Sequence, residues 1–167
     1  MALQMISEKT IHTLELPKIL AQVARLTTFG AGAEQVRDLH PSTDPDEVRT
    51  WQLETAEALD MLEKNTIYSL SGARDVREVV INAQRGVIIE PGTLLDVRYT
   101  LRRAGVLQRT LAKQKGQYPL LAELTEEMDE CRKIQDAIEK AIDDNAEIKD
   151  SASARLAIIR SELKIAF

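Results

Sequence analysis

Cysteine is nearly absent. Cys131 is the one cysteine in 167 residues, which excludes an internal disulfide and a multi-cysteine zinc site. It sits between Glu130 and Arg132 with no histidine beside it, so a structural, half-buried thiol is expected rather than a nucleophile. Histidine is as scarce: His12 and His40 are the only two, and neither has further ligands at metal-binding spacing. Aromatic residues amount to 4%, so Leu, Ala, Ile and Val must supply the core. No apolar run approaches the ~20 residues that a membrane span needs. The first nine residues lack the basic-then-apolar pattern of a secretory leader. These absences point to a reducing, cytoplasmic setting with no membrane partner. A phosphate-binding loop is missing too, because Gly30-Ala-Gly32 is followed by Ala33-Glu34 rather than by lysine, so nucleotide hydrolysis is not expected of this segment.

What is present reads as a folded protein. Apolar residues make up 44% and charged residues 29%, ordinary values for a globular chain. The net charge of −5 is unevenly spread. Residues 1–119 balance at 15 basic and 15 acidic, whereas 120–150 carry 4 basic and 11 acidic. Residues 74–115 hold 9 basic against 4 acidic, so a basic element precedes an acidic one. The acidic run Glu126, Glu127, Asp129 and Glu130, with Asp143 and Asp144 beyond it, lacks the Asp-x-Asp-x-Asp-Gly loop that would hold a divalent ion. It reads as a solvated face.

The 7 glycines and 5 prolines punctuate an all-α pattern. Pro17, Pro45 and Pro91 each precede a helical period, as proline does at a first helical position. The clearest start is Asp44-Pro45-Asp46-Glu47, where Asp44 can accept from first-turn amides and Glu47 can reach back, a capping box. Val48, Trp51, Thr55, Ala58 and Leu62 then mark one helix face to about residue 65. Ile19, Leu20, Val23 and Leu26 mark a helix after Pro17, and Ala33, Val36 and Leu39 a shorter one before His40-Pro41. Residues 66–73 read as a loop. Val76, Val79, Val80 and Ala83 form a helix that stops near Gly86. Residues 86–91 form an extended connector, since no second strand-like run exists to pair with it. From Pro91 the pattern runs to about Lys115, with apolar residues on two faces, so this helix is expected to be central. Pro119 to Met128 and Arg132 to Ile142 read as two short helices.

The last segment opens on Asp150-Ser151-Ala152-Ser153, all capping types. Leu156, Ile159, Leu163 and Ala166 then repeat at three, four and three, the beginning of a heptad seam. The seam is still running at Phe167, so the expectation is a fragment. Residues 1–150 would form a helical core, and 151–167 the base of a longer helix.

One constellation invites a functional reading. At about 100° per residue, Arg98, Arg102, Arg109 and Lys113 fall within about 60° of one another on the central helix. Such a stripe can track a phosphate backbone. The simpler reading is that it pairs with the acidic 120–150 region.

Several segments carry a family resemblance. They are Ile6-Ser-Glu-Lys-Thr-Ile11, Leu14-Glu-Leu-Pro-Lys-Ile-Leu20, His40-Pro-Ser-Thr-Asp44, Glu54-Thr-Ala-Glu-Ala-Leu59, Tyr118-Pro-Leu-Leu121 and Ile148-Lys-Asp-Ser-Ala-Ser153. In that order they resemble the N-terminal region of the second bacterial MutS family, the MutS relatives that end in a small MutS-related (Smr) nuclease domain. The resemblance implies an irregular, MutS-core-like helical bundle with a lever helix beginning near residue 151. It implies a homodimeric parent whose ATPase domain binds ATP and Mg, and which acts on DNA, suppressing recombination, or on collided ribosomes. No ATPase or Smr motif lies in this chain, so no catalytic, cofactor or metal residue carries over. Two readings from other classes stay open beside it. One is a stand-alone nucleic-acid-binding module using the 98–113 stripe. The other is a regulatory bundle that binds a partner helix through the 156–166 seam.

Overall fold

The computed structural model describes residues 6–64 and 72–166. Its elements are α1 (Glu8–Thr13), α2 (Leu16–Ala24), α3 (Gly30–Arg37), α4 (Pro45–Glu63), α5 (Arg77–Gln84), α6 (Pro91–Lys113), α7 (Pro119–Glu123), α8 (Arg132–Ala141), a single 3-10 turn (Asp150–Ala152) and α9 (Ala154–Ala166). The fold is all-α. Among the described residues the nearest thing to a sheet is one isolated antiparallel bridge between Ile142 and Ile148. The loop expected at 66–73 lies almost wholly outside the described residues.

Local chemistry accounts for most helix ends. Asp44 accepts from the amides of Asp46 at 2.9 Å and Glu47 at 3.4 Å, with Pro45 in the first turn. The return arm of the box differs from the sequence expectation: the Asp44 amide donates to Ser42 Oγ at 3.0 Å. Ser7 caps α1 through the Thr10 amide, and Glu15 takes a left-handed conformation that separates α1 from α2. Gly86 has φ +76°, the left-handed residue that ends α5. Ser153 accepts from the Leu156 amide at 3.1 Å and opens α9. Helix α7 is shorter than the expected Pro119–Met128. Thr125, itself buried, turns its hydroxyl onto the Ala122 carbonyl at 2.9 Å, and residues 124–127 continue as turns.

Contacts group the chain into two compact units, and each interleaves two stretches of sequence. The first comprises Met1–Ser71 with Val106–Glu127, the second Gly72–Gly105 with Met128–Phe167. Residues 151–167 thus group with 72–105 and 128–150, a different partition from the 1–150 and 151–167 division.

In the first unit α2 packs on α3, and α4 packs on α7. Met61, Leu111, Tyr118 and Ala122 form its core, with Leu107 and Leu121 against them. Glu54, Glu57, Ala58 and Met61 of α4 are the covered side, so α4 is rotated from the face that periodicity marks. Trp51, Leu59 and Leu62 remain 39, 54 and 59% exposed. In the second unit Leu95, Ile138 and Ile142 form the core, backed by Leu94, Val97, Ala141 and Ala146. The hydroxyl of Thr100 on α6 accepts from the Arg74 amide at 2.9 Å and donates to the Arg74 carbonyl at 3.2 Å, which fixes the segment entering α5.

Candidate functional site

The basic stripe lies on α6, but its four members meet different surroundings. Arg98 is buried, 8% exposed. Its Nη2 donates to Asp144 Oδ1 at 2.8 Å, and its guanidinium lies 5.4 Å from the centre of the Tyr99 ring. Burial works against its charge, yet the hydrogen bonds to Asp144 and Tyr99 outweigh it and hold Arg98 above the ordinary arginine range. Gly105 stands two turns further along the same side of α6. A Cβ there would lie 2.7 Å from Glu130 Cγ, so a second carboxylate side chain from the acidic region presses on this helix face. Arg102 is exposed. Arg109 and Lys113 are exposed as well, and they belong to the first unit, whereas Arg98 and Arg102 belong to the second. Within the first unit Lys115 pairs with Glu126 at 2.5 Å, a further basic-to-acidic contact.

A second assembly joins α8 to α9. After α8 the chain turns back on itself. Asp143 Oδ1 accepts from the amides of Asn145 at 2.9 Å and Glu147 at 2.8 Å, and Ala146 takes φ +63°. The Lys149 amide donates to the Ala141 carbonyl at 2.8 Å. Its Nζ reaches the Glu139 carbonyl at 2.8 Å, and Ser151 Oγ the Lys140 carbonyl at 3.2 Å. Three carbonyls at the end of α8, which have no partner within the helix, are thus satisfied by the segment leading into α9. Arg160, two turns into α9, then donates to the Ile148 carbonyl at 2.9 Å and to Asp150 Oδ1 at 2.5 Å. That guanidinium holds the Asp150 carboxyl below its usual range. The motif Ile148-Lys-Asp-Ser-Ala-Ser153 is therefore a joint, fastened at both ends.

Glu54-Thr-Ala-Glu-Ala-Leu59 and Tyr118-Pro-Leu-Leu121 are separate pieces of the family resemblance. They meet in space. The Glu57 carboxylate accepts from the amides of Leu120 at 3.3 Å and Leu121 at 3.0 Å, capping α7 from α4. The buried Tyr118 donates to Asp60 Oδ2 at 2.7 Å and accepts from Gln117 Nε2 at 2.9 Å. Lys64 and then Tyr118 hold the Asp60 carboxyl below its usual range. Sequence reasoning missed Glu57, Asp60 and Arg160. One signal was available: α7 starts at Tyr118-Pro119 with no capping side chain of its own, so its free amides had to be served from elsewhere.

Among the described residues no group of three His, Cys, Asp or Glu side chains converges as a metal site. No described helix is long and apolar enough to cross a membrane. No family model matches the sequence. Individual proteins do match. The chain is 37% identical over 158 residues to the endonuclease MutS2 of Symbiobacterium thermophilum, covering 95% of this chain and 20% of that protein. It is 34% identical over 159 residues to the endonuclease MutS2 of Geobacillus sp. (strain WCH70), covering 93% and 20%. It is 30% identical over 159 residues to that of Alkaliphilus oremlandii, covering 94% and 20%. The chain thus spans about a fifth of the length of the curated relatives it matches. Alignments at 30–37% identity that cover more than nine-tenths of the chain place it in the second bacterial MutS family, as the counterpart of the N-terminal part of the MutS2 proteins.

Proposed function

We propose that this chain is the non-catalytic core and lever base of a MutS-like, ATP-dependent DNA-binding protein. The observation that supports this is the joint at 142–160. It ties α9 to the end of α8 through Arg160, Lys149 and Ser151, while α8 is tied to α6 through Leu95, Ile138 and the Arg98–Asp144 pair. Displacing α6 therefore displaces α9 as well, because both are stiff rods linked by packed side chains. In this reading ATP, Mg and any nuclease chemistry belong to the four-fifths of the parent outside this chain. DNA or a ribosome is engaged by the whole homodimer in the cytoplasm.

The test is made in the full-length parent, with spin labels on exposed positions of α8 and α9. The label separation should stay fixed between apo and ATP-bound states, while labels on α9 and on the ATPase domain change their separation. Arg160→Ala should broaden the α8–α9 distance distribution. An α9 that stays put relative to the ATPase domain in both states would sink the lever role.

The exposure of Arg102, Arg109 and Lys113 supports a second reading, a nucleic-acid contact along α6. Arg98 is committed to Asp144, so the log–log salt slope of binding should be shallower than the roughly −3.6 that four phosphate contacts would give. Titrating duplex DNA and structured RNA into the chain at low salt decides it, because absence of binding to both removes this reading.

A further inference from the structure

Among the described residues Arg98 is the only buried charged residue. Its side chain is 10% exposed, whereas that of its partner Asp144 is 81% exposed. A surface carboxylate therefore neutralises a buried cation, and it does so through one bond, from Nη2 to Oδ1. Among the described residues Asp144 makes no other hydrogen bond or ion pair. The neighbouring Asp143 is employed differently. Its Oδ1 holds the amides of Asn145 and Glu147 and so builds the turn. The turn thus keeps its shape without Asp144, whose carboxylate serves Arg98 alone.

One oxygen is a partial match for a guanidinium. The planar fork of an arginine is complemented by two oxygens at once, which a phosphate offers and Asp144 as placed here does not. A buried arginine stripped of every anion is strongly destabilising, so exchange of one anion for another is the accessible change at this position. Arg102 follows one turn along α6, on the same side by helical period. It is exposed and, among the described residues, outside every ion pair.

We propose that Asp144 is an autoinhibitory stand-in for a phosphate group, which keeps Arg98 from a nucleic-acid backbone until the 142–149 turn withdraws it. Arg98 then joins Arg102 as a phosphate contact. This rests on the reading of α6 as a nucleic-acid contact and adds what regulates that contact. The turn opens the joint already described, and Arg160 of α9 holds the carbonyl of Ile148, four residues beyond Asp144. A displacement of α9 against α8 is thereby felt at Asp144. Linkage makes the effect mutual: a joint that opens raises the affinity for phosphate, and phosphate on Arg98 loosens the joint by the same factor.

The 167-residue chain is titrated into a labelled DNA duplex and, separately, a labelled RNA hairpin, at a series of salt concentrations, with anisotropy as the signal. Asp144→Asn preserves the side-chain shape and removes its charge. It should bind about tenfold more tightly, with a log–log salt slope steeper by about 0.9, the mark of one added phosphate contact. Adding Arg98→Gln to that chain should return both values to those of the unaltered chain, with circular dichroism reporting whether it folds. Glu147→Gln removes an exposed charge from the same turn without touching Arg98, so it should leave the slope unmoved. This control decides the matter even where Arg98→Gln fails to fold. Whichever nucleic acid responds more strongly identifies the source of the phosphate. Absence of binding to both overturns the proposal together with the α6 contact. Binding that Asp144→Asn leaves unchanged overturns the proposal alone, and so does an equal gain from Glu147→Gln, because bulk charge then accounts for the effect.

Discussion

At the scale of single residues, the side chains that matter most are polar ones serving distant backbone. Glu57 supplies to α7 the cap that its own sequence lacks, through the amides of Leu120 and Leu121. A carboxylate at a helix N-terminus satisfies free amides and faces the positive end of the peptide dipoles. Glu57→Ala is therefore expected to lower stability by about 1 kcal/mol, with Glu57→Gln retaining part of it, measured as a shift in the urea midpoint at unchanged slope. Equal stability of Glu57→Ala and the parent chain would show that water serves those amides as well. Both partners were visible in the sequence, each inside a segment that carries the family resemblance. Their pairing was not, because sixty-odd residues separate them and neither carries a local pattern that points to the other.

At the scale of elements, helix positions were legible and helix orientations only partly so. Asp44-Pro45, Pro91, Gly86 and Ser153 sit at the ends where local chemistry put them, since a cap is decided within four residues. The face of α4 is another matter. Val48, Trp51, Thr55 and Leu62 are the apolar side by periodicity, yet the helix turns Met61 inward, because Glu57 and Asp60 must reach α7 and Tyr118. Periodicity names an apolar face but not its partner. On α6 the glycine at 105 has a similar tertiary cause. Gly→Ala inside a helix ordinarily gains about 1 kcal/mol, but a Cβ at 105 would lie 2.7 Å from Glu130 Cγ. Gly105→Ala is expected to destabilise the chain, whereas in a Glu130→Ala background the same change should stabilise it by about 1 kcal/mol. Thermal unfolding of the four chains in that cycle gives the coupling, and additive effects would mean that Glu130 moves aside freely.

At the scale of the whole molecule, the division into two interleaved units was not legible, because α6 runs through it without a break and the pairings that define it are tertiary. Charge was legible only in bulk. The excess acid of 120–150 is in part structural, since Asp144 meets Arg98 and Glu126 meets Lys115. Other carboxylates are held in the same way in both units. In the first, Lys64 and Tyr118 lower Asp60. In the second, Arg77 brings Asp75 down to about 2, and Arg160 lowers Asp150. A carboxyl whose folded pKa is depressed binds its proton more readily in the unfolded chain. Its contribution is complete above the unfolded value near 3.8 and is lost as pH falls through the folded one. The urea midpoint should therefore be flat with respect to these groups above about pH 5 and fall steadily from about pH 4 to pH 2. Arg77→Met should raise the Asp75 titration toward the ordinary range in a carboxyl NMR experiment and make the acid limb shallower. An unchanged limb in that variant would assign the acid sensitivity to Asp60 and Asp150, and the same comparison with Arg160→Met then separates the joint below α9 from the α4–α7 contact.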